Sequence, residues 1–294
     1  MSNAHAIPRY LHYMYLTPRG RPPRPTTLSA AYHFWLTSCA RANPKFRILL
    51  WDRDDCTRLV ESSHPTYASW FAHNLSAMGV IRQADFCRLM VLATYGGVYL
   101  DFDFRCERPL DPLLNLPLFA ADEPAAHKRQ WRRRPQSLFP CNAIMGSQPH
   151  HPLWAAVMQT FRDRCERWEA RHPSHPDGQT APVMTGPHMI APVWRKYAAS
   201  RAAALLAQQR SPGHERASLP VPPDIVLVPT VTFYPVPALI ERGRAFGAPR
   251  DYPNATLAAH QWGSFYTARG TLHELGREPM PAFVGRPAHA DVRL

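Results

Sequence analysis

Apolar residues recur at helical spacing just before a pair of glycines near the end of the first third of the chain, and the polar side chains gather on one side of that helix. The apolar positions include Ala84, Cys87, Leu89, Val91 and Leu92. The polar side carries Arg82, Asp85 and Arg88 three residues apart, so that they form a narrow stripe. The glycine pair at 96–97 should end the helix, because glycine adopts the left-handed closing conformation at little cost. We therefore predict a buried helix with one charged stripe.

The pattern changes to strict alternation after the glycines, which predicts a strand over residues 98–103. Asp101 and Asp103 would then share one face, about 7 Å apart along the strand. Two carboxylates at the carboxyl end of a strand can hold a divalent cation or sugar hydroxyls, and open α/β sheets bind their ligands at that edge. Two exposed aspartates at a strand end are also common in solvated turns. Burying either acid without a partner would, however, be costly.

Similar patterning along the rest of the chain predicts strands that alternate with helices. The predicted strands lie at 7–16, 47–51, 118–121, 137–147 and 225–229. The predicted helices lie at 28–40, 57–78, 152–171 and 195–210. Two strand–helix units in the first 80 residues are typical of a nucleotide-binding α/β half. We expect one domain over 1–270, with a nucleotide-binding half at 1–125, a second half at 126–270, and a frayed tail at 271–294.

Composition describes a globular and basic protein. The 294 residues are 45% hydrophobic, and the formal net charge is +12 with a pI near 9.8. This charge indicates a polyanionic binding partner or substrate: nucleic acid, an anionic membrane surface or a nucleotide diphosphate. The densest basic run, 127–134, predicts either a phosphate or lipid contact or, as is commoner, a solvated loop. No apolar stretch approaches the roughly 20 residues that cross a bilayer, and the N-terminus lacks a signal-peptide core. These features favour a soluble or peripheral protein of the cytoplasm.

Six cysteines lie far apart, at positions 39, 56, 87, 106, 141 and 165. Their spacing includes no CxxC pair and matches no metal site. Because intracellular chains keep their thiols reduced, we predict reduced thiols rather than disulfides.

The run from Arg82 to Asp103, R-Q-A-D-F-C-R-L…L-x-x-Y-G-G-V-Y-L-D-F-D, resembles the core signature of the DXD glycosyltransferases of family 32. That family includes yeast-type α-mannosyltransferases and α-galactosyl- and α-N-acetylglucosaminyltransferases, and the clostridial glucosylating toxins share its core. Further segments resemble the family in the same order, at 7–12, 43–52, 142–146, 185–187 and 260–264. The resemblance implies the GT-A fold, a single Rossmann-like α/β domain with a mixed, mostly parallel central sheet flanked by helices.

The resemblance also implies a catalytic constellation. Asp103 and His260 would bind Mn²⁺ (or Mg²⁺), and an imidazole nitrogen is a better ligand for Mn²⁺ than for Mg²⁺. As a lone residue, His260 would more often be a core histidine than a ligand. Asp101 would contact the ribose or sugar of the donor. Asp85 and Arg88 would hold sugar hydroxyls and orient the donor, since the guanidinium fork can bridge neighbouring oxygens.

Other site residues follow from the same resemblance, and two of them have a simpler alternative. Tyr15 takes the place of a tryptophan that stacks on the base of the donor, although a core tyrosine would look the same in sequence. Asn142 corresponds to a position beside the transferred sugar, or it caps a turn. Trp262 and Ser264 match donor-binding positions. His12, which recurs after the first strand of the family, is better explained as a packed structural histidine.

The implied reaction is a metal-dependent, configuration-retaining transfer of a hexose or N-acetylhexosamine from a UDP- or GDP-sugar to a glycan, glycolipid or protein. Peripheral contact with an anionic membrane is also expected, and specific binding of nucleic acid is not. A non-catalytic polyanion-binding protein on the same fold is one alternative, based on the basic run and the net charge. A DxD phosphohydrolase is a weaker one, because its first aspartate belongs in the first strand and is followed by a small hydroxyl residue. Here Phe104 and Arg105 follow the motif.

Overall fold

The structure is a computed structural model of the chain. It describes residues 7–18, 20–75, 79–130, 139–171, 184–209, 224–235, 252–261 and 277–287. Within these ranges, no helix combines the length and the apolar character that a membrane crossing requires.

Strands and helices alternate along the described chain. The strands are β1 (Tyr10–Met14), β2 (Thr27–Ser29), β3 (Arg47–Trp51), β4 (Gly97–Leu100), β5 (Phe104–Cys106), β6 (Leu118–Asp122), β7 (Pro140–Ser147), β8 (Val226–Val228), β9 (Ala258–His260), β10 (Arg277–Pro279) and β11 (Val284–Gly285). The helices are α1 (Ala30–Ala42), α2 (Arg53–Ser63), α3 (Ala68–Trp70), α4 (Val80–Tyr95), α5 (Ala125–Gln130), α6 (Leu153–Arg171), α7 (Pro187–Gln209) and α8 (Thr230–Phe233).

A seven-stranded sheet in the order β11-β3-β1-β4-β7-β6-β8 forms the centre of the fold. Strand β1 pairs in parallel with both β3 and β4, and β11 and β8 also join in parallel. Strand β7 is antiparallel to both of its neighbours. The predicted mixed, mostly parallel sheet is therefore confirmed.

Each face of the sheet has its own hydrophobic core. One core packs α2, α4 and α6 against the sheet around side chains such as Trp51, Phe86 and Trp154. The other packs α1 and the short strands β5 and β9 beneath the opposite face, around Leu100 and Phe104. Helix α4 is buried almost all round, and even its polar stripe of Arg82, Asp85 and Arg88 is buried. The sheet is thus flanked by helices on both faces, as predicted.

Two short antiparallel sheets complete the architecture. Strand β5 pairs with β9, and β2 pairs with β10. The prediction of a frayed tail is wrong for residues 277–285, because β10 joins β2 and β11 extends the edge of the central sheet beside β3. The division of the domain into halves at residue 125 stays a prediction.

The prediction of reduced thiols is wrong for four of the six cysteines. Cys39 is bonded to Cys106, and Cys56 is bonded to Cys87. The partners are 67 and 31 residues apart in sequence. They meet only because α1 packs on β5 and α2 packs on α4, contacts that cysteine spacing does not reveal. Cys141 and Cys165 are buried free thiols.

Candidate functional site

A two-glycine turn connects the charged stripe of α4 to the strand that leads into the acidic motif. Gly96 and Gly97 have φ angles of +63° and +91°, a region that favours glycine. A Cβ at Gly97 would lie 2.8 Å from Nε2 of His12. That ring nitrogen is 2.9 Å from the carbonyl oxygen of Gly96, and Nδ1 accepts from the indole N–H of Trp51 at 3.1 Å. The contacts place His12 as a structural support of the turn.

The acidic motif itself lies in a turn rather than in a strand. Strand β4 ends at Leu100, and the peptide N–H of Asp101 donates to Ala143 O at 2.9 Å. The predicted alternation through residue 103 is therefore wrong beyond Leu100. The chain re-enters a strand at Phe104, whose backbone lies opposite His260 in the β5–β9 pair. This pairing brings a histidine from the end of the described chain to the acidic turn.

Asp101, Asp103 and His260, hereafter the trio, converge at this turn. One ligand atom from each lies within 4.8 Å of the others, and His260 Nε2 is 3.1 Å from Asp103 Oδ1. Asp103 and His260 are buried, whereas the side chain of Asp101 is 32% exposed. The trio is the one group of this kind among the described residues.

The trio concentrates negative charge. Burial, opposed by Arg88 and reinforced by the charge of Asp103, raises the pKa of Asp101 to about 6. Burial lowers the pKa of His260, but Asp103 and Asp101 outweigh this and raise it above its usual value. Two carboxylates and an imidazole form an oxygen- and nitrogen-rich donor set that suits Mn²⁺. A divalent cation would also neutralise carboxylates that otherwise repel each other, so the residues present fit the implied metal.

A second polar group, hereafter the Asp85 cluster, comprises Asp85, Arg88, Asn142 and Thr185. Arg88 Nη2 and Asn142 Nδ2 lie 2.9 and 3.1 Å from Asp85 Oδ1, and the hydroxyl of Thr185 donates to Oδ2 at 2.5 Å. Arg88 Nη1 also donates to the carbonyl oxygen of Asn142 at 2.8 Å. All four residues are more than nine-tenths buried. Burial raises the pKa of Asp85, and Arg88, Thr185 and Asn142 counteract that rise.

Tyr99 connects the two groups. The guanidinium of Arg88 lies over its ring, with Cζ 4.4 Å from the ring centroid. The phenolic hydroxyl donates to Asp101 Oδ1, the same oxygen that lies 3.4 Å from Arg88 Nη1. Tyr99 and Thr185 were not among the predicted site residues. The signals for them were the strand alternation, which aligns Tyr99 with Asp101, and the resemblance of residues 185–187 to the family.

The remaining predicted residues have different outcomes. Tyr15 packs edge-on against Phe102, in the middle of the acidic turn, at a centroid distance of 5.8 Å. It therefore lies against the acidic turn, whereas its role in stacking on a base stays a prediction. Asn142 lies within a strand and donates to Asp85, so it does not cap a turn. Trp262 and Ser264 lie outside the described residues.

The described half of the basic run is not a solvated loop. Residues 125–130 form α5, in which Lys128 is only 2% exposed and its Nζ lies 2.6 Å from Asp122 Oδ2. His127 Nδ1 lies 2.8 Å from an oxygen of Glu123. The prediction of a solvated loop is wrong for these two residues, because both lie in a helix and each contacts an acidic side chain of the protein. Residues 131–134 lie outside the described ranges.

The fold and the site define the class of this protein: an α/β enzyme scaffold with acids and an imidazole at the carboxyl edge of its parallel strands. Residues 32–119 match the family described as "Glycosyltransferase sugar-binding region containing DXD motif". The matched segment includes α4, the two-glycine turn and the acidic turn, so this part of the chain is similar to the DXD-containing glycosyltransferases.

Two of the curated relatives are yeast enzymes. The chain is 29% identical over 160 residues to "Mannosyl phosphorylinositol ceramide synthase CSH1" of Saccharomyces cerevisiae, which covers 54% of this chain and 37% of the relative. It is 26% identical to "Inositol phosphoceramide mannosyltransferase 2" of Schizosaccharomyces pombe, over 67% of this chain and 49% of the relative. The chain thus spans about half or less of the length of these relatives.

Solved structures with some similarity are also glycosyltransferases. One is "PaToxG Glycosyltransferase", with 12% identity, a TM-score of 0.47, and coverage of 69% of this chain and 74% of that one. Another is mouse xyloside xylosyltransferase 1 in its apo form, with 10% identity, a TM-score of 0.41, and coverage of 90% and 100%.

Proposed function

We propose that the protein transfers a mannosyl group from GDP-mannose, with Mn²⁺ as the cofactor, to an inositol phosphate headgroup of a lipid. The convergence of the trio carries this proposal, because three side chains of types that can bind a cation meet at the edge of the sheet where α/β folds bind their ligands. The names of the yeast relatives support mannose as the sugar and an inositol phosphoceramide-type acceptor. A lipid acceptor agrees with the net charge of +12, which favours contact with an anionic membrane surface.

Asp103 and His260 would hold the metal, with Asp101 beside them. When bound, the metal supplies Lewis-acid stabilisation of the charge that develops on the departing diphosphate. Asp103 is well suited to a ligand role because the peptide N–H of Gln261 donates to its carbonyl oxygen at 2.7 Å, which ties the acid to the strand of His260. Asp101 is the most exposed of the three and is the member best able to meet a ribose or sugar hydroxyl as well.

The Asp85 cluster would bind the sugar of the donor. Arg88 is fixed by Asp85 and the carbonyl oxygen of Asn142, so its guanidinium stays in one orientation before a ligand arrives. A preoriented donor of this kind loses little conformational freedom on binding. Tyr15 beside the acidic turn, together with Trp262 and Ser264, is assigned to the nucleotide. Retention of the anomeric configuration follows from the family resemblance.

The test is a panel of GDP-mannose, UDP-glucose, UDP-galactose and UDP-N-acetylglucosamine, each with Mn²⁺ and vesicles that contain inositol phosphoceramide. We expect release of GDP and a mannosylated lipid, both abolished by EDTA and restored by excess Mn²⁺. Asp54→Asn, which changes an exposed acid on α2, should match the wild type. Equal turnover with and without chelator would contradict the metal role, and transfer from a UDP-sugar alone would contradict the choice of donor.

A further inference from the structure

Thr185 reaches the Asp85 cluster from the opposite half of the chain. It lies 100 residues from Asp85 in sequence, in the turn just before α7, and is 1% exposed. Its Oγ1 lies 2.5 Å from Asp85 Oδ2. A buried hydroxyl at this distance is a strong charge-assisted donor.

The contacts of the Asp85 carboxylate are unequal. Oδ1 accepts from two nitrogen donors, those of Arg88 and Asn142, whereas Thr185 supplies the hydroxyl that contacts Oδ2. The terminal torsion of an aspartate side chain is broad, so contacts to one oxygen alone leave the carboxylate plane free to swing. A bond at the second oxygen fixes that plane.

Carboxylates offer about four lone-pair directions, two on each oxygen. The three contacts in the cluster use three of them, and the fourth belongs to Oδ2. Thr185 therefore decides where the remaining acceptor direction of Asp85 points. It does so without any need to touch a ligand itself.

We propose that Thr185 is a positioning residue, which aims Oδ2 of Asp85 at a hydroxyl of the donor sugar. The inference rests on the proposed function, since it takes a sugar nucleotide as the ligand. It assigns to the turn before α7 a part in recognising the sugar rather than the nucleotide. Removing the hydroxyl should weaken the hold on the sugar and leave the hold on the nucleoside diphosphate unchanged.

The test compares Thr185→Val, Thr185→Ala and Thr185→Ser by calorimetric titration with GDP-mannose and with GDP, both with Mn²⁺. For the valine and alanine variants, we expect the Kd for GDP-mannose to rise about tenfold, as for loss of a hydrogen bond to a charged group. Their Kd for GDP should stay within about twofold of the wild type. Serine keeps the hydroxyl and should restore GDP-mannose binding to within about threefold.

Thr256→Val is the matched control. Thr256 is equally buried, and its hydroxyl donates to Val231 O rather than to the cluster. This variant should bind both ligands as the wild type does. The inference is overturned if the wild type binds GDP-mannose and the valine and alanine variants bind it equally well. It is also overturned if they lose GDP in the same proportion, or if serine fails to restore binding. A wild type that binds neither ligand overturns the proposed function, and the inference with it.

Discussion

The trio and the Asp85 cluster lie side by side but differ in charge balance. Asp85 has Arg88 at 2.9 Å, and the cluster contains one acid and one base with hydrogen bonds at both carboxylate oxygens. The trio contains two acids and one imidazole within 4.8 Å. The charge of Asp85 is therefore balanced by Arg88 within the protein, whereas the trio carries a net negative charge.

The contrast separates two tasks. A complete cluster is stable without a ligand and presents its groups in a fixed orientation, which suits recognition of a neutral sugar. A surplus of negative charge is costly until a cation arrives, so the trio is expected to gain stability from a metal and to lose function without one. Substitutions in the Asp85 cluster should therefore leave the metal-dependent stability of the trio unchanged, and substitutions in the trio should leave the cluster intact.

The largest effect is expected for Asp103→Ala. Loss of this proposed metal ligand should reduce the proposed mannosyl transfer by about 10³-fold or more, equivalent to about 4 kcal/mol of transition-state stabilisation. The fold should survive, because the change removes one of two like charges. Activity assays and thermal unfolding with and without Mn²⁺ measure both effects. Wild type should show a Mn²⁺-dependent rise in Tm that the variant lacks, whereas Asp54→Ala should retain it.

A pair of identical substitutions tests the comparison directly in the absence of metal. Asp85→Asn should lower the free energy of unfolding by about 3 kcal/mol, because it removes the closer and more deeply buried of the two carboxylates that pair with Arg88. Asp101→Asn should leave that free energy unchanged or raise it, because it relieves repulsion with Asp103. Urea denaturation at neutral pH in EDTA measures both. Equal losses in the two variants would show that the groups do not differ as described.

Much of the fold could be predicted from the sequence because local pattern determined it. The strand Arg47–Trp51 has the predicted bounds, and α4 ends at the glycine pair. The end of β4 could not be predicted, because alternation continues to Asp103 although the pairing with β7 stops at Leu100. The disulfides depend on packing between distant elements and left no signal in the spacing of the cysteines.

The site was predicted in a similarly uneven way. Asp101 and Asp103 were identified from an alternation that continues past the end of β4. His260 came from family resemblance alone, since β5–β9 pairing joins segments about 150 residues apart. The i, i+3 spacing of Asp85 and Arg88 placed them on one side of the helix, but it did not reveal that they are buried and ion-paired. Thr185 could not be predicted as a partner of Asp85, because only tertiary structure brings the turn before α7 to that helix.

A change of pH tests the turn that connects the two groups. The turn at Gly96 joins α4, which carries Asp85, to β4, which leads to the trio, and His12 supports it. Burial lowers the pKa of His12 to about 4 from its usual 6.5, with a smaller opposing effect from the bond to Gly96. Between pH 6.5 and about pH 4, the ring of His12 is protonated in the unfolded chain but neutral in the folded protein. The stability that depends on the neutral ring is therefore fully present only above pH 6.5. This stability is lost as the pH falls towards 4.

The loss assigned to His12 is about 2 kcal/mol between pH 7.5 and pH 5. Between these pH values, the free energy of unfolding of His12→Gln should fall by about 2 kcal/mol less than that of the wild type. His73→Gln, at an exposed position, should follow the wild type. Urea denaturation at the two pH values measures the difference. Parallel slopes for His12→Gln and the wild type would remove His12 as the pH-sensitive support.

The smallest effect is expected for Tyr99→Phe, the variant that loosens the contact between the two groups. It removes the hydroxyl that donates to Asp101 and keeps the ring under Arg88. Because the Asp101 side chain is 32% exposed, water can replace the lost donor, and we expect only about a threefold fall in kcat/KM. Tyr13→Phe is the control, since the buried hydroxyl of Tyr13 has no hydrogen-bond partner among the described residues. Each tenfold change in kcat/KM corresponds to about 1.4 kcal/mol. If kcat/KM of Tyr99→Phe instead falls by about 100-fold or more, the trio and the Asp85 cluster act as one unit.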